Sequence, residues 1–113
     1  MNFIILGIFS FNLQGLGGSI FLMLSHGFVS SALFICIGII YDRYGTRLLF
    51  YYNNLVQTMP LYSTLFFIFI LANISFPGSS NFIGELLVLI GIISYNFFVA
   101  LIACFSIILS AIY

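Results

Sequence analysis

An all-α, polytopic transmembrane helix bundle containing one broken helix is the fold that three features of this chain predict. Of its 113 residues, 64% are hydrophobic and 4% charged, with a mean hydropathy of +1.33; a soluble domain carries about 25% charged residues. Residues 16–41 form an uncharged apolar run, and a bilayer crossing needs ~20 residues at ~1.5 Å each. Finally, Pro77-Gly78-Ser79-Ser80-Asn81 interrupts the apolar stretch 60–94, whose halves are each too short to span.

Composition also excludes several classes. Net charge is zero, which argues against nucleic acid or acidic partners and leaves membrane lipids as the surroundings. Met1-Asn2-Phe3 has no basic n-region and no small-residue cleavage site follows, so no signal peptide is expected. Cys36 and Cys104 lie inside apolar runs and read as small buried hydrophobes rather than a disulfide or ligand pair.

In chain order, residues 2–11 read as a partial helix, followed by a turn at Asn12-Leu13-Gln14-Gly15. Gly15-Leu16-Gly17-Gly18 is no dinucleotide fingerprint, because the spacing is wrong and no strand precedes it. The 16–41 helix carries the only His. Ser19, His26 and Ser30, at steps of seven and four, share one face and form a thin polar stripe. An ionisable group at membrane depth is costly, so His26 is a candidate functional residue. Its alternative reading is a His satisfied by neighbouring helices.

Tyr41–Arg47 reads as the loop that ends this helix. Arg43 and Arg47 place it on the cytoplasmic or matrix side and suit headgroup anchoring. Residues 48–56 read as interfacial, with Tyr51 and Tyr52 at the boundary. Thr58 is expected to cap the next helix and Pro60 to sit in its first turn.

The broken helix then covers 60–94, interrupted at 75–81. Pro77 lacks an N–H and Gly78 supplies free backbone. Ser80 or Asn81 is expected as the new N-cap, which places Glu85 in or just past the first turn, where the helix dipole favours an anion. Gly84 and the opened turn are expected to leave room for water beside Glu85. A last helix covers 97–113. Open backbone survives in hydrocarbon only when protein or trapped water covers it, so the break, together with the partial helices at both ends, predicts a larger membrane assembly.

The specific resemblance rests on Met23-Leu24-Ser25-His26-Gly27-Phe28-Val29-Ser30-Ser31-Ala32-Leu33-Phe34, Tyr41-Asp42-Arg43, Thr46-Arg47, Leu71-Ala72-Asn73, and Pro77-Gly78-Ser79-Ser80-Asn81-Phe82-Ile83-Gly84-Glu85. These resemble the chain-4 family of mitochondrial NADH–ubiquinone oxidoreductase, respiratory complex I. The wider group is the antiporter-like membrane subunits, similar also to Mrp-type cation/proton antiporters. The resemblance covers essentially the whole chain. It implies inverted repeats of transmembrane helices, with this chain matching the end of the tenth, the eleventh, the broken twelfth and the start of the thirteenth.

By the same resemblance, the His matching His26 belongs to a central polar axis. The Glu matching Glu85 is the titratable group of a proton half-channel. Ser19, Ser30, Pro77, Gly78 and Gly84 are expected to support them. Sister subunits commonly carry Lys where Glu85 stands, so Glu favours the chain-4 family. The family's essential Glu and Lys on earlier helices have no counterpart here, and the chain contains no Lys. It is therefore expected to work with polypeptides that supply the missing helices, whether through a split gene or because it is a fragment.

The implied function is a piece of a proton-translocating membrane-arm subunit in the mitochondrial inner membrane, partnered by other membrane-arm subunits. It would hold no cofactor itself; NADH, FMN, iron–sulfur clusters and ubiquinone belong to the complex. Phe, Ile, Tyr and Asn, whose codons are AT-rich, are abundant, as in an organellar genome, although absent Lys does not fit that bias. The alternatives are a subunit of a Mrp-type antiporter or membrane-bound hydrogenase, or a purely structural membrane subunit.

Overall fold

The computed structural model describes residues 1–113, all helix and connection with no strand. Six α-helices follow in order: α1 Asn2–Phe9, α2 Leu13–Tyr44, α3 Leu55–Thr58, α4 Pro60–Asn73, α5 Ser80–Ile93 and α6 Phe97–Ile112, with a 3₁₀ turn at Leu49–Tyr51. The frame is α2. Its 32 residues reach ~48 Å at the helical rise, which accounts for the longest dimension of the molecule, 50 Å. It is the one helix long and apolar enough by itself to cross a bilayer.

Against α2 lie α4 and α5, end to end and antiparallel to it. The Tyr62 hydroxyl donates to the Cys36 carbonyl at 2.9 Å. Asn73 lines a groove with Ser30 and Leu33. Further along, Gly84 faces Leu22 and Gly91 faces Gly15. As the chain advances from 62 to 91, its α2 partner falls steadily from 36 to 15. The two short helices thus act as one interrupted span.

Small residues bring the backbones together at the α5 end. A Cβ on Gly91 would lie 2.8 Å from the Gly15 Cα, and one on Gly18 2.7 Å from the Leu87 Cβ and 2.9 Å from the Val88 nitrogen. Close approach through small residues is how membrane helices gain packing where apolar burial offers no drive. Across this seam, α1 is laid with Gly7 against Gly15, Ser19 and Val88. Val88, Ile92 and Ala100 of α6 complete the core with Phe3 and Leu6.

These contacts correct several expectations. The turn falls at Ser10-Phe11-Asn12, with Phe11 at φ +52°, and α2 begins at Leu13. Gly15 resembles a turn residue in the sequence but is helical, because the Ser10 hydroxyl and the Gly7 carbonyl occupy the space of its missing side chain, as Leu87 and Val88 of α5 do at Gly18. Asn12 is the N-cap by position, yet its amide donates to the Gly91 carbonyl at 2.9 Å and to the Ser94 hydroxyl, tying this turn to the end of α5.

At its other end α2 continues through Asp42 and Arg43 to Tyr44, where left-handed Gly45 (φ +66°) caps it with an N–H donated to the Tyr41 carbonyl at 2.7 Å. Arg47 stacks over the Tyr41 ring at 5.4 Å. Thr58 does not cap α4. It ends α3, its hydroxyl turned back to the Asn54 and Leu55 carbonyls, while Pro60 occupies the first turn of α4. Cys36 is buried and Cys104 exposed, both as free thiols.

Candidate functional site

The site is the interruption between α4 and α5, and backbone chemistry shapes it first. The last turn of α4 closes as a Schellman motif, in which the Phe76 N–H donates to the Leu71 carbonyl at 3.1 Å and the Ser75 N–H to the Ala72 carbonyl at 3.2 Å. That motif needs a left-handed residue just past the cap, and here it is Ser75, at φ +65°. Glycine fills this position without strain; a side chain there costs about 1 kcal/mol or more.

Next comes a β-turn, Phe76-Pro77-Gly78-Ser79, closed by the Ser79 N–H on the Phe76 carbonyl at 3.0 Å. Pro second and a left-handed Gly third (φ +102°) are the residues of a type II turn. Pro77 also stands four residues after Asn73, so the donor that would extend the helix does not exist. Helix α5 restarts with Ser79 as N-cap, one residue before Ser80 and two before Asn81, the expected caps. No side-chain cap bond forms, and the Ser79 hydroxyl returns to the Phe76 carbonyl.

Two side chains of α5 reach back across the gap. Asn81, 3% exposed, donates from Nδ2 to the Ala72 carbonyl at 3.0 Å. Its orientation follows from that partner, since a carbonyl accepts and never donates. The Asn81 Oδ1 is enclosed without a protein donor, the kind of acceptor that a buried water satisfies. One helical turn later the half-buried Glu85 accepts from the Ser75 hydroxyl at 2.8 Å through Oε1. Glu85 is the sixth residue of α5. It therefore lies in the second turn, beyond the first-turn reach of the dipole, and the polar group that meets it is Ser75. Nothing in composition or spacing singles out Ser75: a serine before Phe-Pro-Gly reads as one more loop hydroxyl. A reversal of the chain five residues before the Asn81–Glu85 face is the signal available.

The remaining sequence candidates are not brought together. Ser19 is fully enclosed against α1 and α5, its hydroxyl donated to the Leu16 carbonyl at 2.8 Å. Ser30 donates to the Gly27 carbonyl at 3.2 Å. His26 is exposed. A shared helical face therefore does not make a shared environment, because ten ångströms of axis separate a packed seam from an open flank, at ~1.5 Å per residue. His26 does stand between Leu22, packed on Gly84, and Ser30, grouped with Asn73. Along the axis it is level with the break. Gly84 is buried against Leu22, whose Cβ would lie 3.1 Å from an added methyl. It sets helix spacing and opens no path to Glu85. Pro77 and Gly78 are exposed within this chain.

An interrupted apolar helix with a carboxylate beside the interruption defines a class of ion-handling membrane subunits. The chain belongs to one such family: residues 1–110 match the transmembrane family described as NADH:quinone oxidoreductase/Mrp antiporter. Over its whole length it is 65% identical to NADH-ubiquinone oxidoreductase chain 4 of Acanthamoeba castellanii and 58% identical to that of Arabidopsis thaliana, covering 23% of each. It is 56% identical to the chain 4 of Dictyostelium citrinum, covering 27%. The chain thus spans about a quarter of the length of these relatives.

Proposed function

We propose that this chain forms part of a proton half-channel in the membrane arm of mitochondrial NADH–ubiquinone oxidoreductase, with Glu85 as its proton-binding carboxylate. The observation that carries this reading is Glu85 itself: the one carboxylate beside the break, half-buried, and hydrogen-bonded to a neutral hydroxyl. A hydroxyl serves either protonation state, because it donates to the anion and can donate to or accept from the neutral acid. Redox chemistry, with NADH, FMN, iron–sulfur clusters and ubiquinone, is assigned to other subunits of that complex. The inner mitochondrial membrane is the assigned location.

His26 is the proposed relay partner. Imidazole accepts at one nitrogen while donating from the other, and His26 lies level with the break on a flank that this chain leaves open. Pro77, Gly78 and most apolar side chains are likewise uncovered, with only 18 of 113 residues buried. We therefore assign these faces to lipid and to polypeptides carrying the other helices of the subunit.

Glu85→Gln, introduced into the assembled complex, tests the reading. Glutamine still accepts the Ser75 hydroxyl but does not titrate. Proton transport coupled to NADH oxidation is expected to fall sharply, at normal subunit content. His26→Ala, measured beside it, should depress transport with assembly intact. The Ser75 bond favours one competing reading, in which Glu85 only fastens the two half-helices. Wild-type transport by Glu85→Gln would establish that reading instead.

A further inference from the structure

We propose that Ser75 is the positioning residue of Glu85, and that its hydroxyl, carried on a left-handed turn, ties the carboxyl's protonation state to the geometry of the break. This rests on the proton-binding role proposed for Glu85. The break is held by two side-chain bonds that meet adjoining points of α4. Asn81 donates to the Ala72 carbonyl, the same oxygen that accepts the Ser75 N–H. Ser75 donates to Glu85.

The two bonds respond differently to a proton. The Asn81 bond joins neutral groups and keeps its strength throughout. The Ser75 bond is charge-assisted while Glu85 is ionised, and such bonds are about twice as strong as neutral ones. It weakens when the carboxyl is neutralised. Its donor sits on the strained residue of the segment, at φ +65° in the cap of α4. Loss of the charge-assisted bond removes what the side chain contributes to holding that conformation. Glycine would suit the backbone better, so the hydroxyl is what serine adds.

The other ionisable groups around Glu85 are few. His26 lies on the exposed flank of α2. Asp42, Arg43 and Arg47 are at the far end of α2.

Ser75→Gly and Ser75→Ala in the assembled complex separate position from packing. Glycine relieves the strained turn, and alanine keeps it; both remove the hydroxyl. Both are expected to slow NADH-coupled proton transport by about tenfold, the size of one lost hydrogen bond to a charged group. Infrared difference spectra supply the second readout. The carboxyl bands that vanish in Glu85→Gln should shift in both Ser75 variants. A glycine variant that transports and absorbs like wild type overturns the role of Ser75 while Glu85 keeps its own. If no band vanishes in Glu85→Gln and that variant transports normally, the proton-binding role fails and the Ser75 proposal with it.

Discussion

The two halves of the broken span meet α2 in opposite ways. Helix α5 is locked against it: Gly84, Val88 and Gly91 are buried, and their backbone rests on Gly15, Gly18 and Leu22. Helix α4 has no buried residue at all, and its contact with α2 is a groove plus the Tyr62–Cys36 hydrogen bond. The break therefore joins a fixed half to a lightly held one. A carboxylate on the fixed half, hydrogen-bonded to the end of the other, is well placed to sense any shift between them.

The largest test of this contrast is Gly18→Val. The added carbons meet backbone, which does not yield, and a penalty of about 3 kcal/mol is expected. Assembled complex recovered on a native gel should fall steeply, and normal recovery would show that the α2–α5 seam is looser than its spacing. Tyr62→Phe tests the other half. Losing one hydrogen bond should cost about 1 kcal/mol. Amide exchange should quicken across 60–73 while 80–93 stays protected; equal loosening of both halves would break the contrast. Gly38→Ala should have the smallest effect. Nothing stands within 4 Å of an added methyl, so helix propensity alone predicts a gain of up to about 1 kcal/mol in thermal stability. A loss instead would mean that another subunit meets α2 there at backbone distance.

The helical class and the break were legible because Pro77-Gly78 has one conformational meaning inside an apolar stretch, and Glu85 stood out as a carboxylate at membrane depth. What stayed hidden depended on partners distant in sequence. Gly15 looks like a turn residue until α1 folds back on it through Ser10 and Gly7, and Gly18 has no evident need to be glycine until Leu87 supplies one. Ser19, His26 and Ser30 share a periodicity, but periodicity does not say which stretch of a face meets another helix. The left-handed Ser75 follows no local preference, and its hydroxyl contact with Glu85 gives a reason for serine there only once the chain has folded back. Thr58 and Asn81 illustrate the same limit among caps: each has a capping oxygen, but Thr58 ends the preceding helix with its hydroxyl turned back to carbonyls, and Asn81 already lies inside α5 with its amide donating to Ala72.

The interruption has a further consequence, electrical in kind. Each half of the span carries 14 residues, so in a bilayer crossed by both halves the gap would fall near the middle, ~21 Å of helix from either end. Carrying one charge across the whole membrane works against about 2.3 kcal/mol per 100 mV. Under the role proposed for Glu85, a proton reaching it from one side would traverse only part of that drop, and one leaving to the other side would traverse the rest. Occupancy of such a site would then respond to the membrane voltage itself, so an energised membrane and a discharged one would find it loaded to different degrees at the same pH.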